Sequence, residues 1–399
     1  MPTEQVARAV LALAIAGLLA AVGAHPRVRQ WERRFGLTVL ATSGFPFLLL
    51  GLLFREMGVL TAPLLADLRP AFQFGLGWVG FTIGTNLDLR RIDRLPPSFT
   101  PAIALASTIP VLCTAIACSL VLGGLGVLPG LGLIRDVLVL CACAAVSAPA
   151  NLRRLLGRGK PLATQLVTEI TRMDQILALA LLGLLAIIFR PDRTQTLWHL
   201  PRSGWFLMTL GLGALLGIVV YLLLRRVKGA TEELAMLCGG IALAAGMAGY
   251  LALSVPVVCA IAGAVLINSP LERGEQLERT LREFERPIYL LFLFIVGASW
   301  RPDEWQGWLL ALVFAVSRGY GKFLAARAAV TLQPELAERR PLAIALLPES
   351  TIAIIVLFSA ATVVEPMAPV RWAINAVIIG SILTEIAVQW FLRREGAAA

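Results

Sequence analysis

"TEITRMDQILALALLGLLAIIF", Thr168–Phe189, is apolar over its last two thirds and carries Glu169, Arg172, Asp174 and Gln175 in its first third. A helix crosses a bilayer with roughly 20 mostly apolar residues. A charged group inside such a run costs at least a few kcal/mol and is kept facing a bundle interior or a wet cavity. The stretch therefore reads as a membrane helix with one polar face.

Comparable runs fill the chain. Of its 399 residues, 58% are hydrophobic and 15% charged, against about 45–50% and 25% in soluble domains. Soluble cores split into smaller domains well below this length. The composition therefore predicts an all-α integral membrane protein. Thirteen spans are expected, among them Pro70–Asp88 (third), Leu133–Leu152 (fifth), Ala163–Phe189 (sixth), Trp205–Leu224 (seventh), Pro287–Trp300 (tenth), Trp305–Ala326 (eleventh) and Leu342–Val363 (twelfth). The first, Val6–Val22, ends in the cleavage-like "AAVGAHP", but "MPTEQVAR" before it has no net positive charge, so it is read as a retained helix.

The net charge of +10 reports topology rather than nucleic-acid binding. Basic residues in alternate connections divide 23 against 8, with clusters such as Arg27–Arg34, Arg153–Lys160 and Arg273–Arg286 on the richer side. The richer side is cytoplasmic. This places the N-terminus outside and the C-terminus inside, in a multi-pass membrane protein. The six cysteines lie in apolar runs without a CxxC pair, and His25 and His199 stand far apart. They offer neither a disulfide framework nor a zinc site. The glycine-rich Gly124–Gly132 follows no strand, so it reads as a turn and not a phosphate loop. No cofactor and no enzymatic constellation is expected. The terminus "FLRREGAAA" leads to the expectation that no cytosolic regulatory domain follows.

Four basic residues remain inside spans: Arg135, Arg172, Arg318 and Lys322. Arg135 can pair locally with Asp136. Counted from Ala163 at 1.5 Å per residue, Asp174 lies about 16 Å deep, near the middle of a bilayer core roughly 30 Å thick. Lys322 is near the middle of its own span, with Arg318 four residues before it on the same face. Asp174 with Lys322 is the expected pair, with Arg172 and Arg318 nearby. It is either a structural lock between two helices or part of an ion or proton path.

Prolines interrupt two spans. Pro149 lies in "AAVSAPANLRRL" and Pro348 in "LALLPESTIAIIV", where Glu349 follows. Proline frees a backbone carbonyl, which membranes tolerate only beside protein or a cavity. Matching breaks in the two halves are the pattern of inverted transporter repeats.

"FTIGTNLDLRRI" (Phe81–Ile92), "AAVSAPANLRRL" (Ala144–Leu155), "DQILALALLG" (Asp174–Gly183), "RPIYLLFLFIVGASW" (Arg286–Trp300), "GYGKFLAA" (Gly319–Ala326) and "LLPESTIAIIV" (Leu346–Val356) follow one another in order. In this series the chain resembles the monovalent cation:proton antiporter superfamily, in particular its bacterial sodium/proton exchangers. The resemblance implies two inverted six-helix repeats around a linker helix, with discontinuous fifth and twelfth helices crossing at unwound centres. It implies scaffold helices within 1–98 and 231–300, core helices within 99–189 and 305–394, and a linker at 204–228. It also implies an elevator motion and a homodimer.

Departures from the family pattern are specific. Electrogenic members of the family carry two adjacent aspartates in the sixth helix. Here Asp174 takes the first position and Gln175 the second or, in another register, Met173 and Asp174 take them. Glu349 replaces an arginine of the twelfth helix, and Asn86 an acid of the third. Ser147, Asn151 and Gln175 offer neutral oxygens to a monovalent cation held at Asp174. Three functions stay open: cation/proton antiport, transport of an anion or organic solute drawn by the surplus buried positive charge, and a non-transporting sensor or scaffold.

Overall fold

The computed structural model describes Gly17 and residues 45–60, 69–92, 96–97, 99–147, 161–190, 201–227, 229–270, 274–332, 339–348, 352–363 and 368–397. Among the described residues every regular element is helical. In chain order these are α1 (Phe45–Glu56), α2 (Arg69–Thr85), α3 (Leu89–Ile92), α4 (Phe99–Gly124), α5 (Leu131–Ala145), α6 (Pro161–Ile188), α7 (Arg202–Leu224), α8 (Ala230–Tyr250), α9 (Val255–Asn268), α10 (Gly274–Ser299), α11 (Trp305–Leu332), α12 (Arg339–Leu346), α13 (Ile352–Val363) and α14 (Ala368–Ala397). Six are long and apolar enough to cross a membrane: α4, α6, α7, α8, α11 and α14. The first expected span lies outside the described residues apart from Gly17.

Three boundaries differ from the sequence expectation. The tenth span was expected from Pro287, but α10 starts at Gly274. Leu277 and Leu281 are both buried, one helical turn apart, among charged neighbours. That i, i+4 spacing makes a narrow apolar stripe, which a search for continuous apolar runs passes over. The fifth span was expected to reach Leu152, but α5 ends at Ala145 and Val146 is extended (φ −68°, ψ 133°). The twelfth span is two helices, α12 and α13, and Leu347 and Pro348 between them are not helical.

The described chain divides into two compact units. One comprises Met1–Thr85, Leu212–Leu251 and Val258–Arg301, and the other Asn86–Gly211, Ala252–Val257 and Pro302–Ala399. In the first unit α1 lies along α10, with Phe54 edge-on to Phe294 at 5.5 Å between ring centroids. The Arg55 guanidinium donates to the Trp300 carbonyl at 2.6 Å.

The second unit is built around α11. Its buried face holds Ser317, Arg318, Gly321, Lys322, Ala325 and Ala329, while Trp308, Leu312, Val316, Tyr320 and Phe323 are exposed. The polar groups thus face protein and the apolar ones face outward, as a membrane requires. Glycine lets α11 approach α4 closely: a Cβ at Gly321 would stand 2.6 Å from the Pro110 Cα. An apolar layer of α4, α6, α11 and α12 residues, including Phe99, Val167, Ile170, Ala326, Leu342 and Leu346, closes around this half of the unit.

Candidate functional site

Asp174 and Arg318 fall close to the midpoints of α6 and α11, each 28 residues long. Asp174, Arg318 and Lys322 are all fully buried. Lys322 Nζ donates to Asp174 Oδ2 at 2.7 Å and to the Ala145 carbonyl at 3.1 Å. The Ser147 hydroxyl donates to the same Oδ2 at 2.6 Å. Oδ2 therefore holds two donors, and Asp174 Oδ1 has no hydrogen-bond partner among the described residues. A buried ion pair is only marginally favourable as a pair, but losing one partner strands the other at a cost of about 3–5 kcal/mol. The two charges are consequently bound to each other's presence.

Arg318 has different partners. Its Nε donates to the Ala144 carbonyl at 3.3 Å, Nη2 to Val146 at 2.6 Å and Nη1 to Leu347 at 2.7 Å. These carbonyls lie at the C-terminal ends of α5 and α12, where helices leave acceptors without intrahelical partners. Arg318 thus serves the helix interruptions, and no ion pair of its own is found among the described residues.

The remaining sequence candidates are distributed as follows. Gln175, next along α6, accepts from Asn86 Nδ2 at 3.4 Å, and both are half-buried. Arg172 turns back along its own helix to Glu169, at 2.6 Å. Arg135 pairs with its neighbour Asp136 at 2.8 Å. Pro348 is buried in the non-helical stretch after α12. Pro149, Asn151 and Glu349 lie outside the described residues. Asp174, Lys322 and Ser147 are brought into direct contact, Arg318 stands one turn away on α11, and Arg172 is engaged elsewhere.

The family profile described as "Sodium/hydrogen exchanger, transmembrane" matches residues 45–394, most of the chain. The chain belongs to the sodium/hydrogen exchanger family. It is accordingly a multi-pass membrane protein. Its fold is similar to a structure of the sodium proton antiporter MjNhaP1 from Methanocaldococcus jannaschii, with TM-score 0.66 and 13% identity over 95% of this chain and 98% of that one. An electron-microscopy map of the same antiporter gives TM-score 0.56 and 15% identity, over 98% and 96%. Comparison with curated protein sequences returns no match.

Within this exchanger-family chain, sequence reasoning gave no role to Glu169. The signal was available: Glu169 and Arg172 are three apart on one helix, the spacing at which opposite charges meet. It also missed that the Arg318 donors would be taken by backbone. That engagement depends on where α5 and α12 stop, which residue spacing along α11 does not encode.

Proposed function

We propose that this chain exchanges a monovalent cation, sodium or potassium, for a proton. The observation that carries the proposal is the fully buried Asp174–Lys322 pair at 2.7 Å, with one carboxylate oxygen left open. In the proton-loaded state Lys322 is charged and holds Asp174. When Lys322 gives up its proton, the freed carboxylate takes the cation, with the oxygens of Ser147 and Gln175 at hand. A returning proton restores the ammonium, the pair re-forms and the cation leaves. Both loaded states carry the same net charge, because one positive charge replaces another beside Asp174.

An anion substrate drew its motivation from surplus buried positive charge. Arg172 is committed to Glu169 and Arg318 to three carbonyls, which removes that motivation. Asp174, Lys322, Ser147, Gln175 and Arg318 all belong to one compact unit. This supports alternating access of the elevator kind, in which that unit carries the site as a body; that the chain works as a homodimer rests on the family resemblance. The excess of basic residues in alternate connections supports a cytoplasmic C-terminus, and the resemblance to bacterial exchangers supports a bacterial inner membrane.

Proteoliposomes containing the purified chain and an internal pH dye test the reading. An imposed sodium or potassium gradient is expected to drive proton movement in the opposite direction. Proton movement indifferent to both cations, with flux driven by anion gradients instead, overturns it.

A further inference from the structure

We infer that Arg190, seated on the ring of Trp205, clamps the end of α6 to the start of α7, and that this clamp sets how fast the exchange cycle turns. The rate role rests on the antiport reading above, whereas the clamp stands on geometry alone.

The contact joins two helix ends. α6 carries Asp174, and after it the Phe189 N–H donates to the Leu185 carbonyl at 2.9 Å. Arg190 follows directly, where the helix dipole favours a cation. α7 opens with the Gly204 and Trp205 N–H groups both donating to the Pro201 carbonyl, at 2.9 and 3.2 Å, so Trp205 stands on a closed first turn. The Arg190 guanidinium carbon lies 3.1 Å from the centroid of the Trp205 ring. A guanidinium on an indole face is attracted by the ring quadrupole and stacks on it. Its charge is permanent, so the contact does not switch off during a proton cycle. An interfacial anchor would need Trp205 and make no use of Arg190.

Further along, α7 changes character. Thr209 Oγ1 donates back to the Trp205 carbonyl at 2.8 Å, a bond of the kind that bends helices. Gly211 follows, and a Cβ there would meet nothing within 4 Å. A glycine without packing leaves a helix weak at that point. Gly213 and Gly217 are the opposite case. Cβ atoms there would stand 2.7 Å from the Ile261 Cβ and 2.7 Å from the Ala262 carbonyl oxygen, so this part of α7 lies tight on α9. α7 passes from one compact unit to the other between Gly211 and Leu212. That passage falls between a start bound to α6 and a continuation bound to α9. The stretch from Thr209 to Gly211 is therefore the compliant part of α7, and Arg190 on Trp205 lets a shift of α6 load it.

Arg190→Gln, Trp205→Leu, the double variant and Arg190→Lys are reconstituted as full-length proteins beside the parent. The initial rate of cation-driven proton movement is measured against sodium and potassium concentration. Each of Arg190→Gln and Trp205→Leu is expected to lower the maximum rate roughly two- to fivefold, the factor that a partly exposed cation–π contact is worth. The half-saturating cation concentration should stay at the parent's value. The double variant should be no slower than the slower single variant, and Arg190→Lys, which keeps a cation over the ring, should regain most of the parent's rate. Single variants that melt lower but exchange at the parent's rate overturn the clamp, and so do losses that multiply in the double variant. Gly211→Ala gives a sign that mere bracing does not produce. Its methyl meets nothing and stiffens the helix, so melting should rise while exchange slows; exchange at the parent's rate overturns the bend. If Trp205→Leu elutes as aggregate on size exclusion, Trp205→Phe decides, since its ring holds a cation more weakly; a rate equal to the parent's overturns the clamp. A parent without cation-driven exchange overturns the antiport reading and the rate role with it, whereas variants that match an exchanging parent overturn the clamp alone.

Discussion

Replacing Lys322 by Met removes an ammonium and leaves the Asp174 carboxylate fully buried. What then remains to it is the Ser147 hydroxyl at 2.6 Å. Deleting one member of a buried pair costs about 3–5 kcal/mol, because the survivor keeps its desolvation penalty and loses its counter-charge. Asp174→Asn takes the paired negative charge from the ammonium, which keeps the Ala145 carbonyl among its acceptors, so a cost of the same order is expected. The double variant Asp174→Asn/Lys322→Met buries no charge at either position, and such replacements are often close to neutral. Contacting residues show coupling of about 0.5–3 kcal/mol in a double-mutant cycle, and this pair should lie at or above the top of that range. The assay is thermal unfolding in detergent, followed by tryptophan fluorescence, for all four proteins. The expected pattern is non-monotonic, with the double variant melting above either single variant. Additive losses, with the double variant least stable, would refute the reasoning.

Three further outcomes follow from the same geometry. Ser147→Ala removes a hydrogen bond to a charged group, worth about 1.5–3 kcal/mol; the expected result is a weaker apparent cation affinity in flux assays with folding retained. Gly321→Ala places a Cβ 2.6 Å from the Pro110 Cα, and overpacking of this kind costs about 1–3 kcal/mol; lower melting temperature and slower exchange should appear together, because α11 carries Lys322 at the next position. Glu169→Gln breaks a pair within α6 whose carboxylate is buried and whose guanidinium is only partly exposed; its cost should fall between the about 1 kcal/mol of a surface pair and the about 3–5 kcal/mol of a buried one, read as a clear melting shift with exchange still coupled to protons.

The membrane class and the central pair could be read from residue order because the bilayer makes depth countable. Asp174 sits mid-span by simple rise per residue and Lys322 about one turn past the midpoint of α11, and the cost of charge away from the bilayer surface leaves pairing as the economical arrangement. The α10 extension escaped notice because Leu277 and Leu281 are separated by charged residues, so its apolar stripe shows only at helical period. The Arg318 partners were hidden for another reason. They are backbone atoms, whose availability depends on α5 stopping at Ala145 and α12 at Leu346. Buried positive charge counted from sequence therefore looked like a surplus awaiting an anion, whereas the Arg318 guanidinium donates to three backbone carbonyls. Glu169 marks the opposite limit. Its i, i+3 partner was visible, but an excess of charges in one short stretch drew attention to Asp174 alone.

Proton-coupled cation flux by Asp174→Asn, beside the parent in proteoliposomes of equal protein content, puts the most direct question to this account. The amide fits the same space and cannot carry the charge that holds either Lys322 or a cation. Cation-driven proton movement should fall to the rate of empty liposomes, while the variant still elutes as a folded species. Exchange persisting at the parent's rate would show that Asp174 and Lys322 only brace the helices, and that the transported ion binds elsewhere.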